Sequence, residues 1–152
     1  MTRNLRNRKC RSRRSLISAN KITPRLWRLR EAEIIEALNA QGYDALKIKK
    51  ISYLNHQISI SYWDNNGGVC SGFFSYRIFA RWQYAVQKLV YNCGSTTELK
   101  RLSLLIKYEY NHYPYPLEIQ EAIDNTIDTC TFELTAIESD KQTVQYEVVG
   151  VA

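Results

Sequence analysis

The stretch Ile58-Ser59-Ile60-Ser61-Tyr62-Trp63 alternates with period two and runs into Asp64-Asn65-Asn66-Gly67-Gly68, after which Val69 to Ser75 resumes a strand-like pattern. Successive side chains of a strand point to opposite faces, so such a run buries one face and leaves the other free. Asn and Gly tolerate positive φ, which makes the intervening segment a strong hairpin turn. An antiparallel sheet is therefore the element around which the rest must be arranged. Leu46 to Leu54 supplies a third strand, joined to Ile58 through the tight turn Asn55-His56-Gln57.

Helical signals surround the strands. Thr23-Pro24 places a capping residue before a proline at the first helical position. Leu26, Trp27, Ile34, Ile35 and Leu38 then form one apolar face, and Gly42 is suited to a left-handed cap, so a helix is expected over 24–41. Ile78, Trp82, Ala85, Val86 and Leu89 predict a second helix over 77–92. Ser95 with Glu98 forms a capping box that opens a third, carrying Leu99, Leu102, Leu105 and Ile106. Tyr113-Pro114-Tyr115-Pro116 ends that helix, and Ile119, Ile123 and Ile127 predict a short fourth one. Beyond it, Thr129–Glu138 and Thr143–Val151 flank Ser139-Asp140-Lys141-Gln142 and read as a closing hairpin.

The order α-β-β-β-α-α-α-β-β defines an α+β fold, an antiparallel sheet with helices packed on one face. Its first part, helix–three strands–helix, is similar in element order to a double-stranded-RNA-binding domain. Those domains carry a Lys-Lys-x-Ala-Lys-type cluster at the start of the second helix. Here the segment reads Tyr76-Arg77-Ile78-Phe79-Ala80-Arg81, so the similarity is one of topology alone.

Charge divides the chain differently from pattern. The first thirty residues hold eleven Lys/Arg and no Asp/Glu; with a total of 21 − 15 = +6, residues 31–152 sum to 6 − 11 = −5. Residues 1–22 show no apolar periodicity and are expected to form a disordered basic arm, followed by a single domain over 23–152. Arginine dominates the arm, and a guanidinium grips phosphate bidentately where an ammonium acts as a point charge. Arg3, Arg6, Arg8, Lys9, Arg11, Arg13 and Arg14 are thus candidate nucleic-acid contacts. The same composition suits a solubilising tail, a nuclear-localisation-like address or an organelle transit peptide.

A second basic feature is expected on the helix after the third strand, where Arg77, Arg81, Tyr84 and Lys88 recur at i, i+4, i+7 and i+11. Such a stripe can hold a phosphate backbone while the tyrosine stacks, or it is the wetted side of an amphipathic helix. Lys47, Lys49 and Lys50 would extend the patch. Ser59, Ser61 and Trp63 share one sheet face; Trp63 is a stacking platform if that face is open and core if it is covered, and core is the expectation.

Other chemistry is sparse. Cys10, Cys70, Cys93 and Cys130 have no C-x-x-C spacing, and two histidines assemble no zinc site, so reduced thiols and an intracellular, cytoplasmic setting are expected, with no cofactor or metal. No apolar run is long enough to span a bilayer, so no membrane partner is expected. Asp64, Glu98 and His112 are the only candidates for a small metal-dependent nuclease. The reading is a non-enzymatic nucleic-acid-binding protein, RNA or DNA. The alternative is a protein-interaction subunit of a larger assembly, docking through Tyr108–Tyr115 or the acidic C-terminal segment.

Overall fold

A computed structural model describes the backbone of residues 14–150 and the side chains of residues 14–143. The three strands form where the alternation places them: β1 Ala45–Tyr53, β2 Ile58–Asp64 and β3 Val69–Phe74, in one antiparallel sheet of order β1-β2-β3. The β2–β3 ladder is regular from Ile58 opposite Phe74 to Trp63 opposite Val69. Its turn is held by the Asp64 carboxylate, which accepts the Asn66 and Gly68 N–H groups at 2.9 and 2.8 Å, while Gly67 takes φ +76°. Ile58, Ile60, Tyr62 and Phe74 point inward and are buried.

Four helices cover that inner face: α1 Glu31–Ala40, α2 Ala80–Tyr91, α3 Thr96–His112 and α4 Leu117–Gly150. α1 lays Ile34, Ala37 and Leu38 on the core, and Gly42, at φ +92°, ends its last turn. α2 contributes Trp82, Val86 and Val90, and α3 contributes Leu99, Leu102 and Ile106. Ser95 caps α3 as the capping box predicts, its hydroxyl accepting the Glu98 N–H at 3.2 Å. The Glu98 carboxylate turns back to the Gly94 N–H at 2.8 Å. The α+β class and the helices on one face of an antiparallel sheet are as expected.

Three expectations are corrected. The helix predicted from residue 24 is only a 3-10 turn at Pro24–Leu26, and α1 begins at Glu31. Between them the chain is extended, because alternation sends Trp27 edge-on against Tyr76 and Trp82 and buries Leu29, whose N–H donates to the Tyr53 hydroxyl at 2.9 Å. A helix through that segment would forfeit those contacts. The C-terminal hairpin is instead one helix of 34 residues, about 51 Å long at 1.5 Å per residue. Ile119, Ile123 and Cys130 keep their helical spacing and are buried in α4; beyond Cys130 none of residues 131–143 is buried.

The third correction moves the boundary of the arm. Residues 15–22 belong to the body: Leu16 is fully buried, with Ile17 and Ile22 nearly so. Ser15 to Asn20 makes a compact turn closed by Ala19 N–H to Ser15 O at 2.8 Å and Lys21 N–H to Leu16 O at 2.9 Å. Residues 1–13 of the expected arm lie outside the described residues. Among the described residues no helix is long and apolar enough to cross a membrane.

Candidate functional site

The stripe expected on α2 does not exist as a surface. Arg77 is 2% exposed and lies in a 3-10 turn, Tyr76–Ile78, ahead of the helix. Its guanidinium donates through Nε and Nη2 to Glu109, itself fully buried on α3. The guanidinium Cζ sits 3.6 Å from the Tyr113 ring centroid and 4.8 Å from that of Trp82. Glu109 also accepts the Leu16 N–H at 2.8 Å and the Tyr115 hydroxyl at 3.1 Å, and that hydroxyl accepts the Trp82 indole N–H at 3.0 Å. A buried charge persists only when paired and fully hydrogen-bonded, as both are here. Arg81 forms a half-exposed pair with Glu33, Nε and Nη2 donating at 3.2 and 3.1 Å. Of the four stripe residues only Tyr84 and Lys88 are exposed without an ion pair. Of the arm, Arg14 is exposed; Arg3, Arg6, Arg8, Lys9, Arg11 and Arg13 lie outside the described residues.

The other candidates also have structural duties. Asp64 holds the β2–β3 turn and Glu98 the entry to α3. His112 stacks on Tyr108 at 3.8 Å. Among the described residues no group of three or more His, Cys, Asp or Glu is placed to hold a metal ion. Tyr110 donates to Asp124 at 2.9 Å, so Tyr110, Tyr113 and Tyr115 all spend their polar or ring surface inside the fold.

The surface that does collect charge and rings is the outer face of the sheet. Two β-bulges interrupt β1: Ala45 faces Asp64 while Lys47 faces Trp63, and Ile48 faces Tyr62 while Lys50 faces Ser61. Leu46 and Lys49 are the extra residues. A bulge re-aims the side chains around it, and here Lys47, Lys49 and Lys50 are all exposed. Across the same face run Ser52, Ser59, Ser61 and Ser71, with the Ser61 and Ser71 hydroxyls 2.8 Å apart. Trp63, expected in the core, is 36% exposed on this face, with the Lys49 ammonium 5.3 Å from its ring centroid. Phe73, opposite Ser59, is 66% exposed, and Val69, opposite Trp63, is 45% exposed.

No family model matches the chain, and no curated protein or solved structure does either.

The sheet's margin adds further cations. The extended segment Trp27–Arg30 turns Trp27 and Leu29 inward and leaves Arg28 and Arg30 exposed, and Arg25 precedes them, also exposed. Glu31, next along, accepts the Ile48 N–H at 3.0 Å and so closes part of the outer edge of β1. The lysine triplet was visible in the sequence, but its common direction depends on the bulges. Phe73 was missed altogether; a phenylalanine in a strand ordinarily signals core.

Proposed function

We propose that the chain binds nucleic acid, with the outer sheet face as the contact surface of the body and the Arg-rich N-terminus as a second contact. The observation that supports this reading is the lysine triplet, Lys47, Lys49 and Lys50, exposed together on a face that the helices leave uncovered. Like charges brought side by side repel, and a polyanion relieves that repulsion while releasing its own counterions. Arg25, Arg28 and Arg30 add exposed positive charge on the segment ahead of α1. Residues 31–152 sum to −5, and Lys21, Arg25, Arg28 and Arg30 bring residues 15–152 to −5 + 4 = −1, so the body is not uniformly basic.

Filter binding of the full chain to RNA and DNA over a range of salt tests the reading. Each neutralised phosphate contributes about 0.7–0.9 to the slope of log K against log salt. Replacing Lys47, Lys49 and Lys50 with Gln should reduce that slope by about 2–3, whereas Lys88→Gln, on the solvent face of α2, should leave it unchanged. Absence of salt-dependent retention for both polymers defeats the reading. Docking of a protein partner through Tyr108–Tyr115 is less well supported, because most of those rings are engaged internally.

A further inference from the structure

We infer that the outer sheet face takes single-stranded nucleic acid, with unpaired bases stacked on Trp63 and Phe73; this rests on the nucleic-acid reading above and goes beyond it. Positive charge alone does not distinguish a duplex from a single strand, since both present phosphates. The rings do distinguish them. A duplex buries its base faces in its own stack, whereas an unpaired base offers a face to any exposed aromatic plane.

The arrangement of the face fits such a ligand in three respects. Trp63 and Ser59, the residue opposite Phe73, are four positions apart on β2, so the two rings stand about 13 Å apart along the strand direction at about 3.3 Å per residue. The floor between them is polar, set by the Ser61–Ser71 hydroxyl pair, which can donate to and accept from base edges. The lysines lie on β1 and flank the Trp63 end, where Lys49 already sits over the ring. A base on Trp63 would displace that ammonium toward the phosphate of the same nucleotide. A protein helix docking here would need a continuous apolar stripe, and the serine rows interrupt one.

The experiment uses the full chain with fluorescein-labelled thymidine and uridine oligomers of about twelve nucleotides and a hairpin duplex of similar charge, followed by fluorescence anisotropy. The single strands should bind at least tenfold more tightly than the duplex, and a difference between the thymidine and uridine arms reports the combined effect of the 2′-hydroxyl and the 5-methyl group. Trp63→Ala and Phe73→Ala should each weaken single-strand binding roughly 5- to 150-fold, the range for loss of one stacked base, and leave duplex binding within about twofold. Trp63→Phe should restore most of the affinity but abolish the quenching of tryptophan emission on binding, because Trp82 is buried and Trp27 is turned inward. Both rings are substantially exposed, so the variants should fold, which far-UV circular dichroism verifies. Equal affinity for duplex and single strand, unchanged by Trp63→Ala, overturns the inference and leaves the nucleic-acid reading standing. No binding of any of the three probes overturns both.

Discussion

Glu109 accepts hydrogen bonds from Leu16, Tyr115 and two nitrogens of Arg77, and is fully buried. Removing one member of a buried pair leaves the other charged with no solvent to compensate it. Glu109→Gln should therefore cost about 3–5 kcal/mol in chemical denaturation, and the paired replacement Arg77→Met with Glu109→Gln, which keeps an acceptor for the Leu16 N–H and leaves no unpaired guanidinium, should cost less than Glu109→Gln alone. A smaller loss from Glu109→Gln than from the paired replacement would show that the ion pair is not what the junction depends on. Nothing local in the sequence announces this pair. Arg77 has the right spacing for a wetted stripe, and its partner lies 32 residues downstream on another element. Periodicity reports which side of a helix a residue occupies, not what waits there. The short turn ahead of α2 also takes Arg77 off the helix whose face it was meant to share.

The strands were legible because their determinants are local: alternation, Asn-Gly turn chemistry and an Asp64 side chain able to hold its own turn. Ser95 and Gly42 were legible for the same reason. α4 was not. Its segment from Thr126 onward is rich in Thr, Ile, Val, Tyr and Phe, residues that favour strands; burial against α2 and α3 holds it as far as Cys130, and none of residues 131–143 is buried. That docking makes opposite demands on two residues of one element. Ile123→Ala, at a fully buried position, should cost about 2–5 kcal/mol and reduce helical circular dichroism on mild heating. Phe132→Ala, at a position 77% exposed, should change stability by no more than about 0.5 kcal/mol. A reversal of the two magnitudes would mean that α4 docks through its other side. The bulges of β1 were equally hidden, since Lys49-Lys50 in a strand reads as a break in alternation rather than as a way of aiming two charges together.

At the scale of the molecule, the basic N-terminus and the body are joined through residues that belong to the core. Removing residues 1–13 takes away Arg3, Arg6, Arg8, Lys9, Arg11 and Arg13, and should lower the salt slope by up to about 4–5 with the melting transition intact. Removing residues 1–22 also strips Leu16, Ile17 and Ile22 from the core, so calorimetry should show a strongly destabilised body. Similar melting for the two truncations would show that the turn at residues 15–22 does not support the fold. The tyrosines set an alkaline limit. Burial pushes Tyr76 up to about 12; burial together with the Asp124 carboxylate raises Tyr110, and burial with Glu109 raises Tyr115. The neutral form is favoured in the fold, so their contribution is complete below about pH 10 and declines as the unfolded chain ionises above it. Ultraviolet titration should resolve a late class of tyrosines that ionises only with unfolding. The bond from Leu16 to Glu109 spans 93 residues, which gives the junction a place in time as well as in space. At about 5–20 residues per second of synthesis, Leu16 waits on the order of 5–20 s for its acceptor to be made. Throughout that interval the most highly charged part of the chain is outside the ribosome or in its exit path with its root unsecured, and the first polyanion it meets is ribosomal RNA.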